Sequence, residues 1–306
     1  MKNLKLRKPG VSSVMTKIEW TEKSWNPIVG CSVTSPGCTN CYAMKMAYRL
    51  EHNFETPHYA GTTKMVNRNA VWTGQVNLAP NHILTAPIRR KRPTTYFVNS
   101  MSDLFHEDVP DEWIDTIFET IEWCDVRDLG HIFQILTKRS ERMRDYMVKH
   151  YGYLGRGPSN CWLGVSAEDQ KRADERIPYL LDTPAVVRFV SAEPLLGPIE
   201  FGCIYDQREN VRQINALEGR WYHLHDDDLE GTETGKIDWI IVGCESGPKR
   251  RPMNEDWVHF IKNQCAPPNV STKFFYKQSI ENGKIVKLPE LDGRQWTQIP
   301  EIAANG

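Results

Sequence analysis

Cys31, Cys38 and Cys41 fall within eleven residues, while Cys124, Cys161, Cys203, Cys244 and Cys265 each stand alone. Lone cysteines are usually small buried hydrophobes, so the trio needs a separate explanation. Pro36-Gly37 makes a turn just before Cys38, and Thr39-Asn40 gives the tight C-x-x-C spacing that lets two thiolates face one centre. Ala43 to Leu50 is a good helix former, and a helix start there adds partial positive charge beside the thiolates. Three readings compete. Core cysteines fit poorly, because a Gly/Pro-rich loop offers little core to fill. A structural zinc site needs a fourth ligand; His52 and His58 lie within chain reach but match no usual finger spacing. A [4Fe-4S] cluster held by three cysteines keeps one iron open to a small molecule. That open iron makes the cluster the best account of the trio, and the chemistry is expected there.

Such a loop must be carried by something rigid. Short apolar runs recur at Tyr96–Val98, Ile132–Leu136, Trp162–Val165, Val186–Val190, Trp239–Val242 and Phe274–Tyr276, with one more near Ile28-Val29. Near-continuous apolar runs suit strands covered on both faces. Helical spacing lies between them: Trp113, Ile114, Ile117, Phe118 and Ile121 after Pro110; Met143, Tyr146 and Met147 after a Ser140 cap; Ala173, Ile177 and Leu180 between Glu168 and Leu181; Trp257, Val258, Ile261 and Cys265 after an Asn254 cap. The alternation predicts an α/β fold, a full or partial (β/α) barrel. In such a barrel, function collects at the carboxyl ends of strands. Those ends are polar here: Asn99, Ser100 and Asp103; Lys138 and Arg139; Ser166; Ser191 and Glu193; Glu245; Lys277 and Gln278. Ser246–Arg251, with Arg250 and Arg251, is an anion-binding candidate. The basic run Arg89–Arg92 reads as a solvated loop.

The 306 residues include 40% hydrophobic and 25% charged, an ordinary globular balance. A formal net charge of −1 gives no global basic field, although a local patch stays open. No apolar run is long enough to span a bilayer, so no membrane partner is expected. Residues 1–14 read as a flexible leader without a secretory pattern, and 15–306 as a single domain in the cytoplasm. A polar insertion at about 201–236 ends in His223, His225 and Asp226–Asp228; a solvated segment explains it better than a metal site. Asp292-Gly293 predicts a C-terminal hairpin extension.

A three-cysteine loop entering a (β/α) barrel resembles the radical S-adenosylmethionine (SAM) superfamily. More narrowly, the sequence resembles a phage-associated three-Cys-motif family. The matching pieces are Lys17–Trp20, Trp25–Pro27, Cys31–Tyr42, Phe97–Phe105, Leu136–Arg139, Trp162–Ser166, Ser191–Leu196, Gly243–Gly247, Arg251–Met253 and Phe275–Gln278. The usual radical-SAM loop spaces its cysteines by three and two residues with an aromatic before the last; here the gaps are six and two, and Tyr42 follows Cys41. A wider loop still permits three-point ligation. The resemblance implies a barrel of radical-SAM type and a [4Fe-4S] cluster on Cys31, Cys38 and Cys41. SAM would bind the open iron and be cleaved reductively to a 5′-deoxyadenosyl radical. Asn99, Ser100, Asp103, Ser166 and Ser191 would hold SAM. Glu193, Glu245 and Lys138 are the catalytic candidates, and Arg139, Arg250, Arg251, Lys277 and Gln278 would engage substrate. A nucleic acid or nucleotide is the leading substrate class, served by an external electron donor and, from the family's context, a genetically linked partner protein. The competing reading is a non-catalytic nucleic-acid-binding or repair module with a structural zinc or iron–sulfur centre.

Overall fold

The computed structural model describes residues 18–208, 212–223 and 235–301. Its main sheet has eight strands in chain order: β1 (Lys23–Trp25), β2 (Thr95–Val98), β3 (Ile132–Thr137), β4 (Cys161–Ser166), β5 (Val187–Ala192), β6 (Trp239–Gly243), β7 (Lys273–Glu281) and β8 (Lys284–Lys287). Strands β1 to β7 are parallel, each beside its predecessor, and β8 folds back antiparallel on β7. A twisted sheet wound in sequential order curls, and here it forms a half-barrel with β1 and β8 as its edges.

Parallel neighbours need long crossovers. These carry α1 (Tyr42–Glu51), α2 (Asp111–Val126), α3 (Ser140–Tyr151), α4 (Gln170–Leu181) and α5 (Glu255–Gln264). The crossover from β5 to β6 holds the polar insertion instead, which contains a three-stranded antiparallel sheet of Ile204–Asp206, Arg212–Asn215 and Arg220–His223. His225 and Asp226–Asp228 lie outside the described residues, as do residues 1–14. No helix among the described residues is long and apolar enough to cross a membrane.

Both faces of the sheet are covered, which is why its strands read as unbroken apolar runs. Tyr96, Phe133, Ile135, Leu163, Val165, Val190, Ile240 and Val242 face the helices in the larger core. Their alternates Phe97, Trp162, Phe189, Trp239, Ile241 and Phe275 point into the curl, where they meet Trp20. Trp20 packs edge-on against Phe97 at 4.8 Å and Trp239 at 6.0 Å between ring centroids, a favoured aromatic geometry. Its neighbour Glu19 pairs with Lys287 of β8, so the segment before β1 spans the two sheet edges.

Three local expectations shift. The first strand is Lys23–Trp25, whereas Ile28–Val29 leaves the sheet and pairs antiparallel with Asn77–Leu78. Pro27 stands between them and has no N–H to continue a ladder. Ser140 is the first residue of α3 and Arg139 is its cap position. The next helix starts at Gln170, where the Asp169 side chain accepts from Arg172 N at 2.9 Å. Asn254 caps α5 through Asp256 N, and Asp292-Gly293, both at positive φ, turn the C-terminal hairpin.

Candidate functional site

The cysteine loop begins at a glycine for steric reasons. Gly30 has φ +92°, and a Cβ there would lie 2.1 Å from the Gln75 carbonyl oxygen. Only hydrogen fits. Gly30 N donates to Met101 O at 3.2 Å, which delivers Cys31 to the carboxyl end of β2. Pro36-Gly37-Cys38 forms one 3-10 turn, and Cys41 is the N-cap residue of α1. A Cβ on Gly37 would meet the Glu168 carboxylate at 2.2 Å, so this glycine lets the loop close on β4.

All three cysteines line one cavity of about 200 Å³ over the carboxyl ends of the strands. Its wall also contains Asn99, Ser100, Asp103, Lys138, Arg139, Ser166, Ser191, Glu193, Glu245 and Lys277. Trp20, Trp72, Phe97 and Tyr42 supply aromatic surface. Arg250, Arg251 and Gln278 are not among the lining residues. Arg250 donates to Gly283 O at 3.1 Å, and Gln278 Nε2 is shared among Cys244 O, Ser246 Oγ and Glu193 Oε1.

The cavity polarises its thiols differently. Burial pushes Cys31 up to about 12, with Asp103 adding and Arg139 opposing. Burial also raises Cys41, against hydrogen bonds from the Ala43 and Met44 amides at the start of α1. Burial resists ionisation of Cys38 too, yet Lys138 and hydrogen bonds from Thr34 and Ser35 outweigh it and hold that thiol below its ordinary value. The lone cysteines behave as expected for Cys124, Cys161 and Cys244, which are buried; Cys203 and Cys265 are half-buried.

Several carboxylates serve as braces for the loop. Glu168 is inaccessible to solvent. It accepts from Ser35 Oγ, from Arg176 Nη1 at 2.9 Å, and faces Lys138 Nζ at 3.5 Å. Burial opposes its charge, but Lys138 and Arg176 prevail and lower its pKa. Glu245 accepts from Asn40 Nδ2 at 2.9 Å and from the backbone and guanidinium of Arg251, which also donates to Pro36 O at 2.9 Å. Asp103 takes four donors: Thr137 Oγ1, Phe105 N, Lys138 N and Arg139 Nη1. Ser32, beside Cys31, bonds Glu107, His106 and Arg139.

Other groups remain turned to the cavity. Lys277 Nζ donates to Glu193 Oε1 at 2.5 Å. Ser166 and Ser191 stand side by side on β4 and β5. Asn99, at φ +58°, accepts at Oδ1 from Ile28 N, while its buried Nδ2 has no partner among the described residues. A buried unpaired donor is costly, and this one belongs to a residue in the cavity wall.

A family model matches residues 15–300. The chain belongs to the family described as protein of unknown function DUF5131. No curated protein and no solved structure matches it. Sequence reasoning therefore carries the cysteines and strand ends, and it misses the braces. Asn40, Ser32, Glu107 and Arg176 sit among ordinary polar residues, and only Gly37 hints that something packs closely there.

Proposed function

We propose that the chain is an iron–sulfur enzyme of radical-SAM type, with a [4Fe-4S] cluster on Cys31, Cys38 and Cys41. The observation that carries this is the opening of all three thiols onto the same cavity as the polar strand ends. Among the described residues, no group of three or more His, Cys, Asp or Glu stands close enough to hold a single metal ion. A mononuclear zinc site brings every sulfur within about 2.3 Å of one ion. A cubane takes one thiolate per iron, so its cysteines need not converge on a single point. The resemblance to radical-SAM loops supports the same reading.

When bound, the cluster would supply the electron that cleaves SAM into methionine and a 5′-deoxyadenosyl radical. The chain's own residues would hold and orient. Asn99 Nδ2 would donate to an acceptor on the bound molecule. Ser166 and Ser191 offer hydroxyls, and the Glu193–Lys277 pair can face a group of either charge. Asp103 and Glu245, with their oxygens already committed, would keep the loop in place. The aromatic wall offers stacking surface to a flat group, so a nucleotide unit is the substrate class it suits. An external low-potential donor must provide the electron.

Anaerobic reconstitution tests the cluster. Wild-type protein should bind iron and sulfide and absorb near ~400 nm, as such centres do, and Cys38→Ala should lose that absorption. Zinc at one equivalent without sulfide would overturn the cluster. Intact SAM under strong reductant would overturn the radical chemistry.

A further inference from the structure

We propose that Arg139 acts through Cys31 to raise the reduction potential of the centre held by the three thiolates, an inference that rests on the iron–sulfur reading above. As a basic residue at a strand end, Arg139 invites assignment to a substrate anion. Its surroundings point elsewhere. Nε donates to Glu107 Oε2 at 2.6 Å, Nη2 to Ser32 Oγ at 2.6 Å and Nη1 to Asp103 Oδ2 at 3.0 Å. The same Nη1 lies 4.0 Å from Cys31 Sγ. The side chain is only 10% exposed, so its charge is poorly screened by water.

The anchors keep the guanidinium in place. Asp103 is itself held by Thr137 Oγ1 at 2.6 Å and Lys138 N at 2.9 Å, and Ser32 is held by His106 Nε2 at 2.9 Å. Partners of this kind orient and tune a metal-bound group. Reduction of a cluster adds one negative charge, from an external low-potential one-electron donor, with no bond broken. A fixed cation beside a ligating sulfur stabilises that added charge and so favours the reduced state. Glu107 acts in the opposite sense, since it brings negative charge to the same guanidinium. Arg139 is therefore a positioning residue, one that touches a ligand and not the substrate.

The test is an anaerobic redox titration, followed by electron paramagnetic resonance, of reconstituted wild type, Arg139→Lys, Arg139→Gln and Glu107→Gln. Iron and sulfide are measured for each. The Arg139→Gln midpoint should fall by about tenfold in the redox equilibrium, about 59 mV for one electron. Arg139→Lys, which keeps the charge, should lie between it and wild type. Glu107→Gln should move the midpoint upward. Loaded variants that all titrate at the wild-type midpoint would overturn the proposal. If Arg139→Gln takes up no cluster, Glu107→Gln decides, because its side chain is 60% exposed and glutamine keeps its size; an unmoved or lowered midpoint there overturns it. Absence of iron and sulfide from the wild type would instead remove the iron–sulfur reading itself.

Discussion

Glu168 shows how a residue becomes a brace. Its carboxylate is buried between Arg176, Lys138 and the Ser35 hydroxyl. Removing one partner from a buried ion pair leaves the others uncompensated, at a cost of about 3–5 kcal/mol. Glu168→Ala should lower the thermal midpoint accordingly, and a loss within experimental error would refute the brace. The pH dependence follows from the direction of the shift. The folded pKa lies below the ordinary carboxylate value, so the unfolded chain binds more protons in acid. The stabilisation is complete above the unfolded value of about 4.3 and is lost as pH falls through the folded one. Glu107, drawn down to about 2 with burial opposing and Arg139 prevailing, loses its contribution over the window from about 4.3 to about 2. Melting curves from neutral pH into acid should therefore fall less steeply for Glu168→Gln than for wild type. Parallel slopes would contradict this. In the sequence Glu168 stands only at the start of a helical stretch, with no sign of which loop would descend on it.

At the scale of elements, the strand-to-loop junction at Gly30 carries the cysteine trio. Gly30 and Gly74 have nearly the same backbone, φ +92° and +94°, yet a Cβ at Gly74 would meet nothing within 4 Å. Alanine at either site strains the backbone; alanine at Gly30 also collides with Gln75 O. Gly30→Ala should therefore cost more than Gly74→Ala, with the latter near ~1 kcal/mol, and should also impair metal uptake. Denaturant midpoints of the two variants read the difference directly, and equal losses would show that the contact is unimportant. The helices were legible because their apolar residues recur at three and four: α2 after Pro110 and α5 after Asn254 stand where that spacing put them. The first strand was not. Ile28-Val29 looks more strand-like than Lys23–Trp25, and only the pairing with β2 decides between them.

For the molecule as a whole, Trp20 stands in for the closure that the sheet lacks. Its ring touches Phe97 of β2, Phe189 of β5 and Trp239 of β6, bridging strands far apart around the curl. Trp20→Ala should cost about 3–5 kcal/mol, as large-to-small changes in a packed core do, with Trp20→Phe recovering part of it. A loss under ~1 kcal/mol in chemical unfolding would mean that the half-barrel interior holds without this ring. In the sequence Trp20 belongs to the Lys17–Trp20 match, with no sign that it fills a barrel.

Local order determined the alternation of strands and helices, the polar strand ends and the cysteine loop, because each depends on residues a few places apart. Tertiary structure decided which polar groups would meet. Ser35 reaches Glu168 across 133 residues, Asn40 reaches Glu245 across 205, and Arg139 reaches Cys31 across 108. Such partners come together through the winding of the sheet, and no local period encodes them. That is why the three thiols could be singled out from spacing, while the charges that steady them could be assigned only after the strands had curled.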